Sequence, residues 1–172
     1  MALRVSKQQI DQAGINFVVA ELNRRGIVAS ILANNLFKNI DIIACNSNQA
    51  RTVMITVKTK RRGVWYASAN DGKSSKKISD ETNFWIFVSI EKINELPNYY
   101  IVPEWWIRND IYNETKDLPL SKANSNTYRH HGINVARIEQ WKDRWDILGL
   151  ATARQLLREE ACEDVSGSVC KE

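Results

Sequence analysis

The tightest constraint on the fold is one stretch, NIDIIACNSNQARTVMITVKTK, running from Asn39 to Lys60. Two runs of β-branched and apolar residues, IDIIAC and TVMITVKT, flank NSNQAR, a segment of turn-favouring residues. The pattern predicts two antiparallel strands joined as a hairpin. Side chains alternate faces along a strand, so Val53, Ile55 and Val57 share one side, and Met54, Thr56 and Lys58 share the other. In the first strand Asp41 lies with Ile43 and Cys45. Asp41 opens the first strand and Lys58 closes the second, so antiparallel pairing puts both at the end away from the turn. Two charges inside otherwise apolar runs are therefore expected to meet.

The flanking segments extend this hairpin into a domain. Ser6 can cap a helix through KQQIDQAGINFVVAELNRRG, which Gly26 can end in the left-handed conformation. Ile10, Gly14, Phe17 and Val18 form its core-facing stripe. IVASIL reads as a short strand before the hairpin, and FWIFVSI and NYYIVP as two more after it, the last ended by Pro103. EWWIRNDIYN starts a helix or an irregular segment, and LPLSKANSNTYRHHG reads as loop. RIEQWKDRWDILG places Ile138, Trp141, Trp145 and Leu148 at helical spacing, which predicts an amphipathic helix docked by its tryptophans. ATARQLLREEACED is one more candidate helix, and VSGSVCKE a polar, disordered tail. The order gives an α/β (α+β) domain with one central sheet over residues 1–164, followed by the tail at 165–172.

At 172 residues the chain is long enough for one sizeable core. No apolar run approaches the ~20 residues of a membrane span. MALRVSKQQIDQAG lacks the apolar centre of a secretory signal, so a cytoplasmic protein is expected, with no membrane partner. Three cysteines without CxxC spacing argue against a disulfide framework and against a zinc site. The charge is uneven: between Arg51 and Ser79 eight basic residues face one acid, Asp71, in a chain of net charge +4. A local basic block suits a polyanion, nucleic acid first, or else is a solvated lysine-rich loop.

At about 100° per residue Glu21 projects into the apolar stripe of the first helix. A carboxylate there costs several kcal/mol without a partner or metal, so Glu21 pairs with Lys58 or an arginine, passes the edge of the sheet, or joins a site.

Asp41, a turn, then ITVK ending in Lys58, after a helix carrying AELNRRG, resembles the PD-(D/E)xK nuclease-like superfamily. The shared pattern is an acid opening one strand, then a second residue and a lysine, two apart, on the next. WKDRWDILG loosely matches a late YKDxWDxL helix of small uncharacterised bacterial members. The resemblance implies a restriction-endonuclease-like fold: a mixed five-stranded sheet flanked by helices, in core order α-β-β-β-(α)-β. It also implies hydrolysis of phosphodiester bonds in nucleic acid, DNA foremost. Asp41 and Glu21 would be ligands of Mg²⁺ (or Mn²⁺), Lys58 would stabilise charge, and pairing into a homodimer would cut two strands. Thr56 departs from the motif, since the second acid would stand there. Either Glu21 replaces it, or the domain is a degenerate relative that binds nucleic acid or a protein without cleaving. A third possibility is a scaffold in which Asp41 and Lys58 are a structural ion pair.

Lys60, Arg61 and Arg62 leave the strand just after Lys58, where a phosphate backbone would lie; Lys73, Lys76 and Lys77 follow as further phosphate contacts. Trp65 and Tyr66, beside that basic strip, would stack on unpaired bases if exposed, although core packing or a hairpin edge is the first expectation for Trp65. His130 and His131 are adjacent in a loop and make weak metal ligands, although one could act as an acid or base. No Gly-rich phosphate loop, GxSxG or HExxH occurs, which leaves nucleotide hydrolysis and the common hydrolase mechanisms unsupported.

Overall fold

The computed structural model describes residues 5–32, 39–72, 81–92, 94–116 and 130–150. Lys73, Lys76, Lys77, the candidate helix after Leu150 and the polar tail lie outside the described residues.

Helix α1 spans Lys7–Arg24. Its start is a reciprocal capping box: Gln9 N–H donates to Ser6 Oγ at 3.2 Å and Ser6 N–H donates to Gln9 Oε1 at 2.8 Å. Its end is Gly26, which takes the expected positive φ of 72°. The buried stripe is Gly14, Val18 and Leu22, a strict i, i+4, i+8 row. Phe17, expected on that stripe, is 38% exposed, because the row that meets the sheet runs one position to its side.

The strands are β1 (Val28–Ile31), β2 (Ile42–Cys45), β3 (Thr52–Lys60), β4 (Trp65–Ser68), β5 (Asn83–Ser89), β6 (Asn98–Pro103) and β7 (His130–Ile133). Five of them form one mixed sheet in the order β1-β2-β3-β5-β6, antiparallel throughout except for the parallel pair β3–β5. This is the mixed five-stranded α+β sheet that the resemblance implied. The parallel step makes the chain leave the sheet after β3. That excursion carries β4 and a 3₁₀ turn at Ala69–Gly72, with no α-helix among its described residues. β4 pairs antiparallel with β7 as a separate two-stranded ribbon, so the segment expected as loop supplies a strand.

The sheet is covered on both faces. Val18 and Leu22 of α1 pack on Ile42, Ile55 and Ile86, with Leu148 closing that core. On the other face, helix α2 (Glu104–Thr115) buries Ile107 and Ile111 against Trp85 and Phe87, and Trp65 and Ile133 of the ribbon complete the layer. β5, buried on both faces, is the strongly apolar run FWIFVS.

The helix expected over RIEQWKDRWDILG is instead a one-turn helix α3 (Val135–Ile138) followed by 3₁₀ turns at Glu139–Trp141 and Trp145–Leu148. The reason is backbone pairing. Lys142 is extended and bridges to Tyr100, Asp143 turns left-handed with φ 53°, and its N–H donates to Tyr99 O at 3.0 Å. The chain thereby satisfies the edge of β6 rather than its own helix. Trp145 and Leu148 still reach the core, as the spacing anticipated. Among the described residues no helix is long and apolar enough to cross a membrane.

Candidate active site

β2 and β3 pair as the predicted hairpin, from Cys45 opposite Thr52 to Ile42 opposite Ile55. β2 has four residues and β3 nine, so β3 runs on alone past Ile55 along that edge. Its other edge stays paired, with Lys58 opposite Phe87 of β5. At the step where β2 stops, Asp41 takes over. Its N–H donates to Ile55 O at 2.9 Å, and its carboxylate Oδ2 accepts the Val57 N–H at 2.7 Å. The side chain thus stands in for a missing strand residue, and β3 continues into the open with its first free donor satisfied.

A cleft of about 280 Å³ wraps this free edge. Asp41, Thr56 and Lys58 line it from the hairpin, Lys7, Asp11 and Ile15 from α1, and Trp65 and Tyr66 from β4. Burial pushes the Asp41 carboxyl above its ordinary range; the Val57 N–H and the Lys58 charge pull it down, and the Asp11 charge pushes it further up. Lys58 reaches across the face of Trp85, with Nζ 5.1 Å from the ring centroid. Thr56 is only 8% exposed, and its hydroxyl donates to the Asn39 carbonyl. The position of the motif's second acid therefore holds a neutral, committed group.

The acid that α1 brings to Asp41 is Asp11, not Glu21. Glu21 lies ten residues further along the helix, roughly 15 Å at the usual rise, and does not line the cleft. Its carboxylate is held by Arg24 at 2.8 Å and Arg25 at 2.9 Å, close to Tyr99. The hydrogen bond from Arg24 keeps it below the usual glutamate range, against the opposing effect of burial. It is a locally neutralised carboxylate, as its apolar stripe demanded, and it is not placed to hold a metal with Asp41. In the sequence Asp11 reads as an ordinary surface i, i+4 partner of Lys7, and the two are indeed paired at 2.6 Å. The signal was there in Lys7, Asp11 and Ile15, spaced by four beside the buried stripe.

The basic block divides. Arg51 is half-buried and committed: its guanidinium donates to Leu148 O and to Glu81 O, each at 2.7 Å. Lys60 is also tied down, donating to Gly63 O at 2.8 Å with Nζ 4.0 Å from the Trp65 ring centroid, and burial lowers its pKa. Arg62 is exposed and Arg61 half-buried in the loop that follows. Trp65 does not offer a stacking surface: it is 2% exposed, with its indole N–H donating to Val88 O at 3.0 Å. Strand parity turns its neighbour Tyr66 outward instead. His131 faces Arg137 at 3.0 Å, and burial, aided by that charge, lowers its pKa, while His130 is exposed.

No family model and no curated protein matches the sequence. Solved structures similar to this chain include two at 14% identity or less. One is Hjc, a Holliday junction resolvase from the archaeal hyperthermophile Archaeoglobus fulgidus, with TM-score 0.48 and 14% identity over 81% of this chain and 95% of that one. The other is the bacterial homing endonuclease I-Ssp6803I, with TM-score 0.47 and 10% identity over 90% of this chain and 99% of that one.

Proposed function

We propose that this chain is a metal-dependent nuclease hydrolysing phosphodiester bonds in nucleic acid, DNA first. The observation that carries the reading is the meeting of Asp11, Asp41 and Lys58 in one cleft at the free edge of β3. Mg²⁺ or Mn²⁺ fits there by the chemistry of the donors. Two carboxylates repel each other across the cleft, enough to contribute to the raised Asp41 pKa, and a cation relieves that repulsion. Val57 takes one of the four or so acceptor positions of the Asp41 carboxylate, leaving others for a ligand. Mg²⁺ commonly takes one or two protein carboxylates and fills its shell with water and substrate oxygens. Among the described residues no group of three or more His, Cys, Asp or Glu forms a metal cluster. Asp41 and Asp11 are then the ligands, and affinity is modest.

A bound divalent cation supplies Lewis acidity and charge neutralisation at the scissile phosphate. The protein's own groups do the rest. Asp41, held by Val57, fixes the position of negative charge. Lys58, steadied over Trp85, is placed to offset charge that develops on the phosphate oxygens. Thr56 contributes no charge, and this favours a second reading, in which the cleft binds nucleic acid without cutting it.

The test is cleavage of single-stranded, duplex and branched DNA by the full chain with Mg²⁺, Mn²⁺ or chelator. Metal-dependent cleavage is expected, abolished by Asp41→Ala and lowered about 10²–10³-fold by Lys58→Ala. Salt-sensitive binding with no cleavage under any metal establishes the second reading and overturns the first.

A further inference from the structure

We infer that the outward face of the β4–β7 ribbon is a stacking platform for an unpaired base, so that the preferred substrate is DNA with single-stranded nucleotides next to the cleft. The inference rests on the nuclease reading for its substrate, and on separate residues for its geometry. Along β4 the buried side is Trp65 and Ala67, while Tyr66 is 65% exposed. Its cross-strand partner is Gly132, which has no side chain to cover the ring. His130 stands nearly perpendicular, at 76° and 6.5 Å between centroids, and forms a second aromatic wall rather than a closed stack. Tyr66 lines the same cleft as Asp41 and Lys58.

Charge decides the occupant. Arg61 and Arg62 precede Tyr66 in the loop from β3, and the strongly exposed Lys7 stands on the α1 side of the cleft. A phosphodiester backbone crossing between these cations passes the tyrosine. Within a paired duplex every interior base face is covered by its neighbours, so away from the ends only a base outside the stack has a face to give. Every base has such a face, which makes the platform tolerant of sequence and selective for unpaired structure.

The test measures binding of the full chain in chelator, so that no strand is cut, to three labelled DNAs: a single strand, a blunt duplex, and that duplex with an unpaired arm. Tyr66→Ala is expected to weaken the single strand and the armed duplex about tenfold and to leave the blunt duplex within about twofold. Tyr66→Phe, which keeps the ring, retains wild-type binding. 2-Aminopurine in the unpaired arm is quenched on binding to wild type and not to Tyr66→Ala. Equal loss on all three DNAs, no loss on the unpaired ones, or a Phe variant as weak as Ala overturns the platform. Selective binding without cleavage in metal leaves the platform standing and refutes the catalytic reading. Cleavage with no strand preference does the reverse, and absence of all binding refutes both.

Discussion

Asp41 carries two duties that pull in opposite directions. It satisfies the backbone donor of Val57 at a strand edge, and it holds a charge that burial and Asp11 disfavour. A carboxyl whose folded-state pKa is raised binds protons more tightly in the folded chain than in the unfolded one. Its contribution to stability is therefore present below the unfolded pKa and lost as pH rises through the folded value. Asp41→Asn keeps an oxygen for Val57 and removes the charge. The variant should gain stability over wild type between pH 4 and pH 7.5, as read by urea denaturation at both, while losing cleavage. A stability difference that is flat or shrinking across that range would contradict the assignment. At this scale the sequence was informative where strand parity governs: Asp41, Thr56 and Lys58 fall together as alternation requires. It set Asp11 in a row with Lys7 and Ile15 beside the buried stripe, but did not choose between Asp11 and Glu21 as the acid that joins them. Asp11 and Glu21 are ten residues apart on one helix, and only packing against β3 decides which end lies over the cleft.

That packing turns on one contact between elements. A Cβ on Gly14 would lie 1.9 Å from Thr59 Oγ1 and 2.9 Å from Thr59 Cβ, so α1 approaches β3 as closely as a bare backbone allows. Gly14→Ala must lift the helix, and with it Lys7 and Asp11, away from the strand. We expect a loss of about 1–3 kcal/mol in chemical denaturation, reduced in the Gly14→Ala/Thr59→Ala double variant, where the nearest atoms are gone. Unchanged stability would show that the helix seat is looser than the Gly14–Thr59 approach requires. Elements built from near neighbours were the ones readable in advance: the capped helix, the hairpin and the buried β5. β7 was not, because HHGI has no strand pattern of its own and is extended only by pairing with β4, some 65 residues earlier. The late helix failed for a related reason, since its tryptophan spacing satisfies the core equally well from 3₁₀ turns whose backbone binds β6.

Over the whole molecule, charge is apportioned more sharply than the net +4 suggests. Arg51 and Lys60 are committed to backbone carbonyls, so the cations left for a polyanion on the described surface near the cleft are few. Arg61→Ala with Arg62→Ala should reduce the slope of log affinity against log salt by about 2, near one counterion per lost phosphate contact. Titration of duplex binding at several salt concentrations reads this directly, and an unchanged slope would move the DNA path elsewhere.

The parallel step from β3 to β5 makes the chain leave the sheet after Lys60 and return at Asn83. Arg61, Arg62 and Tyr66 all ride on this excursion, whereas Asp41 and Lys58 belong to the hairpin before it. Lengthening or re-aiming the excursion alters what the cleft meets without disturbing the register that brings acid and lysine together. On the proposed reading, the hairpin residues assigned to the chemistry and the excursion residues assigned to substrate choice thus lie on separate stretches of chain, and one can vary while the other stands still.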